Sequence, residues 1–262
     1  MTRMNDNALK AENLTIGYGE RTVIKDLSLD FPSGRMTAIL GPNGCGKSTL
    51  LRALARLITP AKGTVTLGSD NVFAMDTRAL ARRLAILPQA SKAPEGITVA
   101  DLVRRGRTPW RGLFSPWSDA DAAAVERALK EVGLEDMSER PIDQLSGGQR
   151  QRAWIALVLA QDTPCLLLDE PTTWLDLTHQ IEVLSLVRER NRAQGVTVIT
   201  VLHDLNLAAR FYDTLVLLGP SGLIAAGSPQ DVLMEENLMA GLGLSAMVVP
   251  DPITGTPMVV PR

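Results

Sequence analysis

Gly41-Pro42-Asn43-Gly44-Cys45-Gly46-Lys47-Ser48-Thr49 matches G-x-x-x-x-G-K-[ST], a pattern whose chemistry is phosphate binding. The glycines let the backbone curl so that successive N–H groups point inward at phosphate oxygens, and a helix opening at Lys47 adds the positive end of its dipole. Lys47 is then placed to reach the β- and γ-phosphates, and Ser48 to hold Mg²⁺. A second run, Cys165-Leu166-Leu167-Leu168-Asp169-Glu170, reads as a buried strand ending in two carboxylates. Ligands of open parallel sheets sit outside the carboxyl ends of the strands, so both acids should project towards the phosphates. Asp169 suits the Mg²⁺ shell. Glu170 is left to orient and deprotonate an attacking water. A third motif, Leu145-Ser146-Gly147-Gly148-Gln149-Arg150-Gln151-Arg152, opens a helix and makes a further anion site at its start.

These groups need a scaffold, and the chain supplies one. Apolar runs of strand length alternate with longer helical patterns, the mark of an α/β chain with a largely parallel sheet. Strands are expected at Leu14–Tyr18, Met36–Leu40, Ala85–Leu87, Cys165–Asp169, Val196–Val201, Thr214–Leu218 and Leu223–Ala226. Helices should begin near Lys47, Asp119, Gly147, Thr178, Leu205 and Pro229. The Gly-, Pro-, Arg- and Trp-rich stretch from Gly106 to Ser118 reads as a surface loop, and Met247–Val249 and Met258–Val260 as a terminal hairpin.

Composition closes off several other functions. The 262 residues carry a formal charge of -2 and no run of five or six lysines or arginines, so the sequence gives no electrostatic footprint for nucleic acid. Two distant cysteines, Cys45 and Cys165, suggest neither a disulfide framework nor a zinc site. The first ten residues lack the apolar stretch of a secretory signal. The longest uncharged run, Thr214 to Gln230, is broken by Gly219-Pro220 and falls short of the roughly 18 apolar residues of a membrane span.

The octet from Leu145 to Arg152 resembles the signature motif of ATP-binding-cassette (ABC) proteins, and the resemblance extends over nearly the whole chain. It implies a P-loop ATPase cassette. Such a cassette has a RecA-like parallel-sheet core (about 11–90 and 162–234), an N-terminal antiparallel β portion and a helical signature subdomain (about 91–161), followed here by a C-terminal hairpin extension (about 235–262). Tyr18 matches the aromatic that stacks on adenine, Gln89 the glutamine that touches Mg²⁺ or water, and His203 the histidine that contacts the γ-phosphate. Asp176 lies in the loop that joins two protomers. One phosphate loop, one signature and no internal repeat imply a two-fold homodimer with two composite ATP sites. In each, Lys47 and His203 of one subunit would face Ser146, Gly147, Gly148 and Gln149 of its mate.

Within the family the chain is most similar to the importer branch for iron-siderophore, haem and cobalamin uptake, especially the ferric-enterobactin type. The residues carrying this are Gly17-Tyr18-Gly19, Gly41 to Thr49 with Cys45, Arg105-Gly106-Arg107, Leu113-Phe114, Ala153-Trp154-Ile155-Ala156, Thr172 to Asp176, and Gly255-Thr256-Pro257. The resemblance implies an ATP-hydrolysing subunit on the cytoplasmic face of the inner membrane, bound to two permease subunits and served by an extracytoplasmic siderophore-binding protein. A short permease helix would dock near Gln89 and the segment 97–118, where Trp110, Phe114 and Trp117 are candidate contacts. Haem or cobalamin is the alternative cargo. A non-transport cassette would ordinarily carry a duplicated cassette or a coiled-coil insertion, and a GTP switch an Asn-Lys-x-Asp motif; neither occurs.

Overall fold

The computed structural model describes residues 7–19, 21–89, 93–112, 115–173 and 175–262. A six-stranded sheet forms its centre, in the order β10(Gly222–Gly227), β9(Thr214–Gly219), β3(Met36–Leu40), β8(Thr197–Val201), β7(Cys165–Asp169), β6(Leu84–Leu87). All neighbours are parallel except β9 and β10. Every residue of β3, β7 and β8 is buried, as expected of strands covered on both faces. Their side chains divide by the two-residue period of a strand. Met36, Ala38, Leu40, Leu166, Leu168 and Val198 join one apolar cluster, while Ile39, Cys165, Leu167, Ile199 and Val201 join the other.

The second cluster is closed by α1(Lys47–Leu54) and a four-stranded antiparallel sheet in the order β2(Arg21–Phe31), β1(Leu9–Tyr18), β4(Lys62–Leu67), β5(Asp70–Asn71). The first is covered by the helices α5(Gly147–Ala160), α6(Leu177–Gln194) and α7(Leu205–Phe211), with α3(Val99–Arg104) and α4(Asp119–Glu131) packed on α5. The short α2(Thr77–Ala81) precedes β6, and α8(Pro229–Val232) and α9(Glu235–Leu242) follow β10. Capping boxes start α4 through Ser118 and Asp121 and α5 through Ser146 and Gln149, each satisfying helix N–H groups that have no intrahelical partner.

The parallel register matters most for the site. Ile39 and Asp169 both pair with Val201, and Leu87 pairs with Leu168. The carboxyl ends of β6, β7, β8 and β3 therefore lie along one edge of the sheet, and that edge leads into Gln89, Glu170, His203 and Gly41.

Where sequence and structure differ, the departures are local. The stretch Gly106 to Ser118 is not wholly a surface loop. Arg105–Trp110 winds as a 3₁₀ helix, and Gly106 and Arg107 are buried against the end of α5. A Cβ on Gly106 would lie 2.3 Å from the Leu157 carbonyl oxygen, so no other residue type fits that approach. Strands β2, β4 and β5 and helices α2, α3 and α9 also stand outside the elements expected from the sequence.

At the C-terminus, β11(Ala246–Pro250) and β12(Pro257–Pro261) form the hairpin, which packs on α7. Asn206 of α7 clamps Val259, donating to its carbonyl at 3.2 Å and accepting from its N–H at 2.7 Å. In the connecting turn, Asp251 accepts from the Ile253 and Thr254 N–H groups and from Arg210 at 2.6 Å. The Ile253 hydrogen bond is the main force holding the Asp251 carboxyl below its ordinary value of 3.8, with Thr254 and Arg210 adding to it against the opposing cost of burial. A depressed folded value means that this contribution is present above the unfolded value and is lost as pH falls through the folded one. We therefore expect hydrogen-exchange protection factors across residues 246–261 to fall in the wild type only below about pH 4, and in Asp251→Asn to be low already at neutral pH. Equal protection of both proteins at pH 7 would show that Asn206 alone holds the hairpin.

Candidate active site

Between β3 and α1 the chain turns through a loop that only glycine can make at two points. Gly41 has φ 148°, and a Cβ there would meet the Leu218 carbonyl oxygen at 2.4 Å; Gly46 has φ 107° immediately before α1. Lys47 is buried and its ammonium donates to the carbonyls of Gly41 at 2.8 Å and Pro42 at 2.9 Å, so the side chain lies back along its own loop. Asn43, Gly44, Gly46, Lys47, Ser48 and Thr49 line a cleft of ≈ 440 Å³ with Tyr18, Arg21, Val23, Gln89 and Glu170. Tyr18 is half-exposed at the mouth, an apolar plate able to stack on a base.

The two carboxylates differ as their neighbours differ. Asp169 is 3% exposed and accepts a hydrogen bond from the Ser48 hydroxyl at 2.9 Å. Burial pushes its carboxyl above the ordinary value and the adjacent Glu170 charge pushes the same way, against the opposing pull of Ser48, Lys47 and Arg52. A buried acid so incompletely compensated by protein fits a place that a divalent cation completes. Among the described residues no cluster of three or more His, Cys, Asp or Glu could hold a metal. Magnesium takes one or two protein oxygens and otherwise phosphates and water. Ser48, Asp169 and Gln89 would hold it.

Glu170 is bound on both oxygens. His203 Nε2 donates to Oε1 at 2.7 Å, while Gln89 Nε2 at 2.9 Å and the Thr173 hydroxyl at 3.0 Å donate to Oε2. Burial by itself would raise this carboxyl, but the His203 hydrogen bond and charge, with Thr173 and Gln89, hold it below the ordinary value.

Other residues stand apart from this cleft. The Cys45 side chain lies behind the phosphate loop, in a separate hollow with Ile24, Leu27 and Leu218, which leaves only its backbone for phosphate. Ser146 and Gln149 are engaged with each other, Ser146 N–H to Gln149 Oε1 at 3.1 Å and Gln149 N–H to Ser146 Oγ at 3.2 Å. Neither they nor Gly147 and Gly148 line the cleft. Asp176 is exposed and caps α6, accepting from the His179 N–H and from its ring. The candidate docking residues also separate. Leu102 is 1% exposed and belongs to the core, and Trp110 is tied by its Nε1 to the Gln161 carbonyl. Leu113, Phe114 and Trp174 lie outside the described residues. Trp117, 38% exposed, lines a groove of ≈ 340 Å³ with Arg104, Glu126, Glu135 and Glu139.

Sequence reasoning missed Arg21, Val23 and Thr173. Arg21 pairs directly with Tyr18 across the β1–β2 turn and so enters the cleft mouth beside it. The signal was available in the short interval between Tyr18 and Arg21 around Gly19, which is hairpin spacing.

A strand-end glycine loop, a buried acid bonded to its serine and a hydrogen-bonded carboxylate beside it define a P-loop nucleoside-triphosphate-binding protein. The ABC transporter family model matches residues 24–173. Over 97% of its length the chain is 50% identical to the achromobactin transport ATP-binding protein CbrD of Dickeya dadantii (strain 3937), covering 94% of that relative. It is 48% identical, also over 97%, to the ferric enterobactin transport ATP-binding protein FepC of Escherichia coli (strain K12), covering 93%. Among solved structures, an inward-facing metal-chelate type ABC transporter superposes with TM-score 0.84 at 30% identity, covering 98% of both chains. The dimeric bacterial ABC cassette MJ0796 does so with TM-score 0.76 at 28% identity, covering 84% of this chain and 98% of that one. The chain belongs to the ABC transporter family and is one of its ATP-binding subunits, an ATPase.

Proposed function

We propose that this chain is the energy-coupling subunit of a ferric-siderophore importer, hydrolysing MgATP as a homodimer attached to two permease subunits. What carries the hydrolytic part is the placement of Glu170 beside Lys47 and Ser48 at the shared edge of β7 and β3. The cargo class is supported by the names of the full-length relatives, which specify achromobactin and ferric enterobactin. Magnesium, when bound with ATP, supplies positive charge against the β- and γ-phosphate oxygens. Lys47 and the loop amides orient the phosphates, Tyr18 holds the base, and Glu170 takes the proton of the attacking water. The second copy's Ser146, Gly147 and Gly148, which lie away from this chain's own cleft, would close over the γ-phosphate. Asp176, at the start of α6, would then stand at the joint between the two copies. Association and release of the two copies then move the attached permeases at the cytoplasmic face of the membrane.

No described helix is long and apolar enough to cross a membrane, so the reading needs a docking face for a permease. The groove beside Trp117 is the candidate. Its floor is Ala100, Val125 and Leu129 and its rim carries three glutamates against one arginine, Arg104, a net acidic setting for a short amphipathic helix with basic residues. Trp117→Asp should abolish uptake of radiolabelled ferric siderophore and release the protein from membranes, while ATP turnover in solution stays within about twofold, because Trp117 touches no group of the cleft. Normal ferric-siderophore uptake in cells lacking the chain would overturn the cargo assignment. Full transport by the Trp117 variant would remove only the docking face.

A further inference from the structure

We infer that Thr173 is a positioning residue for hydrolysis, its hydroxyl anchoring Oε2 of Glu170 so that Oε1 is the oxygen presented to the attacking water. The inference rests on the reading of Glu170 as the base. Among the described residues three donors reach that carboxylate, and they come from different parts of the fold. Gln89 arrives from the end of β6 and His203 from the end of β8, each on its own segment. Thr173 alone belongs to the turn that carries Glu170 itself.

That turn fixes the main chain of Glu170 at both ends. Its N–H donates to the Val201 carbonyl at 3.2 Å, and its carbonyl accepts from the Thr173 N–H at 3.2 Å, with Pro171 at the position where a fixed φ favours a turn. Glu170 itself has φ 52°, a left-handed conformation uncommon outside glycine and found where surrounding structure over-determines it. With the backbone held, the freedom left to the carboxylate is rotation of its own side chain. The Thr173 hydroxyl removes it at 3.0 Å, on the same oxygen as Gln89.

The division between the oxygens follows from this geometry. Oε2 has two donors, one of them on its own turn, whereas Oε1 has His203 at 2.7 Å. Movement of His203 towards a phosphate frees Oε1 for water, and Thr173 keeps the carboxylate from swinging after it. The proton passes from water to Oε1 while the Thr173 hydroxyl keeps its own, so Thr173 adds no charge and no chemical step. It acts by holding the base in a near-attack orientation.

The test is steady-state ATP hydrolysis by full-length Thr173→Val and Thr173→Ser, with thermal unfolding measured alongside. Valine keeps the shape and removes the donor; serine keeps the donor. A hydrogen bond to a charged group of this kind predicts a kcat about tenfold lower in Thr173→Val, with KM for ATP within about twofold and serine restoring most of the rate. In a Glu170→Gln background Thr173→Val should cause no further loss. A wild-type kcat in Thr173→Val, with Glu170→Gln inactive, overturns this inference alone. A Glu170→Gln enzyme that turns over normally overturns the base assignment and the inference with it. Loss of thermal stability that serine fails to restore would mean that the side chain holds the turn rather than the carboxylate, and would also overturn it.

Discussion

Glu170→Gln is expected to bind MgATP with near-normal affinity, to hydrolyse it about 10² to 10⁴ times more slowly, and to accumulate as an ATP-bound dimer. That loss corresponds to roughly 3 to 5 kcal/mol of barrier. The substitution is close to isosteric. An amide oxygen can still accept from Thr173 and Gln89, so the turn and the cleft should persist, but an amide cannot take the proton of water. Affinity should hold because the phosphate contacts are those proposed for Lys47, Ser48 and the loop amides, none of which depends on Glu170. Steady-state ATPase assays, with gel filtration in MgATP to detect the dimer, check both parts. Asp169→Asn should behave differently, since it weakens the buried acid that Ser48 contacts and so should impair magnesium-dependent binding. Near-normal turnover in Glu170→Gln, with hydrolysis abolished in Asp169→Asn, would reverse the roles assigned to the two carboxylates.

The legible part of this site was the part written in residues with narrow uses. Glycines at 41, 44 and 46 sit at positive φ, and two carboxylates directly after an all-apolar run of strand length mark the end of a buried strand. The antiparallel sheet was harder to read because its period is broken. In β1 the buried positions run Leu9, Ala11, then Leu14, Ile16, with Asn13 at φ 51° absorbing the extra residue, so an alternating pattern finds only the second half. In β2 Asp26, at φ 50°, resets the alternation between Ile24 and Leu27. Helix α3 spans six residues, too short to display a helical period, and its start is marked only by the Thr98 cap. Thr173 was invisible for another reason. A threonine hydroxyl is as common in a solvated turn as beside a base, and only the three-dimensional course of the chain after Glu170 tells them apart.

Arg107→Ala is expected to destabilise the protein by about 3 to 5 kcal/mol, the cost of breaking a buried ion pair from one side. The composition of the segment from Gly106 to Ser118 suggests a solvated loop, yet Arg107 is 7% exposed and Asp121, its partner on α4, is also buried. Arg107 Nε donates to Asp121 at 2.9 Å and a terminal nitrogen donates to the Ala160 carbonyl at 2.9 Å, closing the end of α5. The guanidinium also lies 5.3 Å from the centre of the Trp110 ring. Burial works to raise the Asp121 carboxyl, but Ser118 and Arg107 together hold it below the ordinary value of 3.8. Alanine would leave that carboxylate in place with Ser118 but without its countercharge, and the Ala160 carbonyl without its donor. A loss of this size is a large fraction of the roughly 5 to 15 kcal/mol that holds a domain together, and should lower Tm by on the order of 10 °C. The sign of the pH dependence follows from the depressed folded value: the Asp121 contribution is present above pH about 4 and fades as pH falls through the folded value, so wild type and variant should converge in acid. Thermal unfolding of both proteins at pH 7 and at about pH 2 to 3, below the unfolded value, is the measurement. A Tm within about a degree of wild type at pH 7 would mean that Ser118 alone satisfies Asp121 and that Arg107 is dispensable to the packing of α4 on α5.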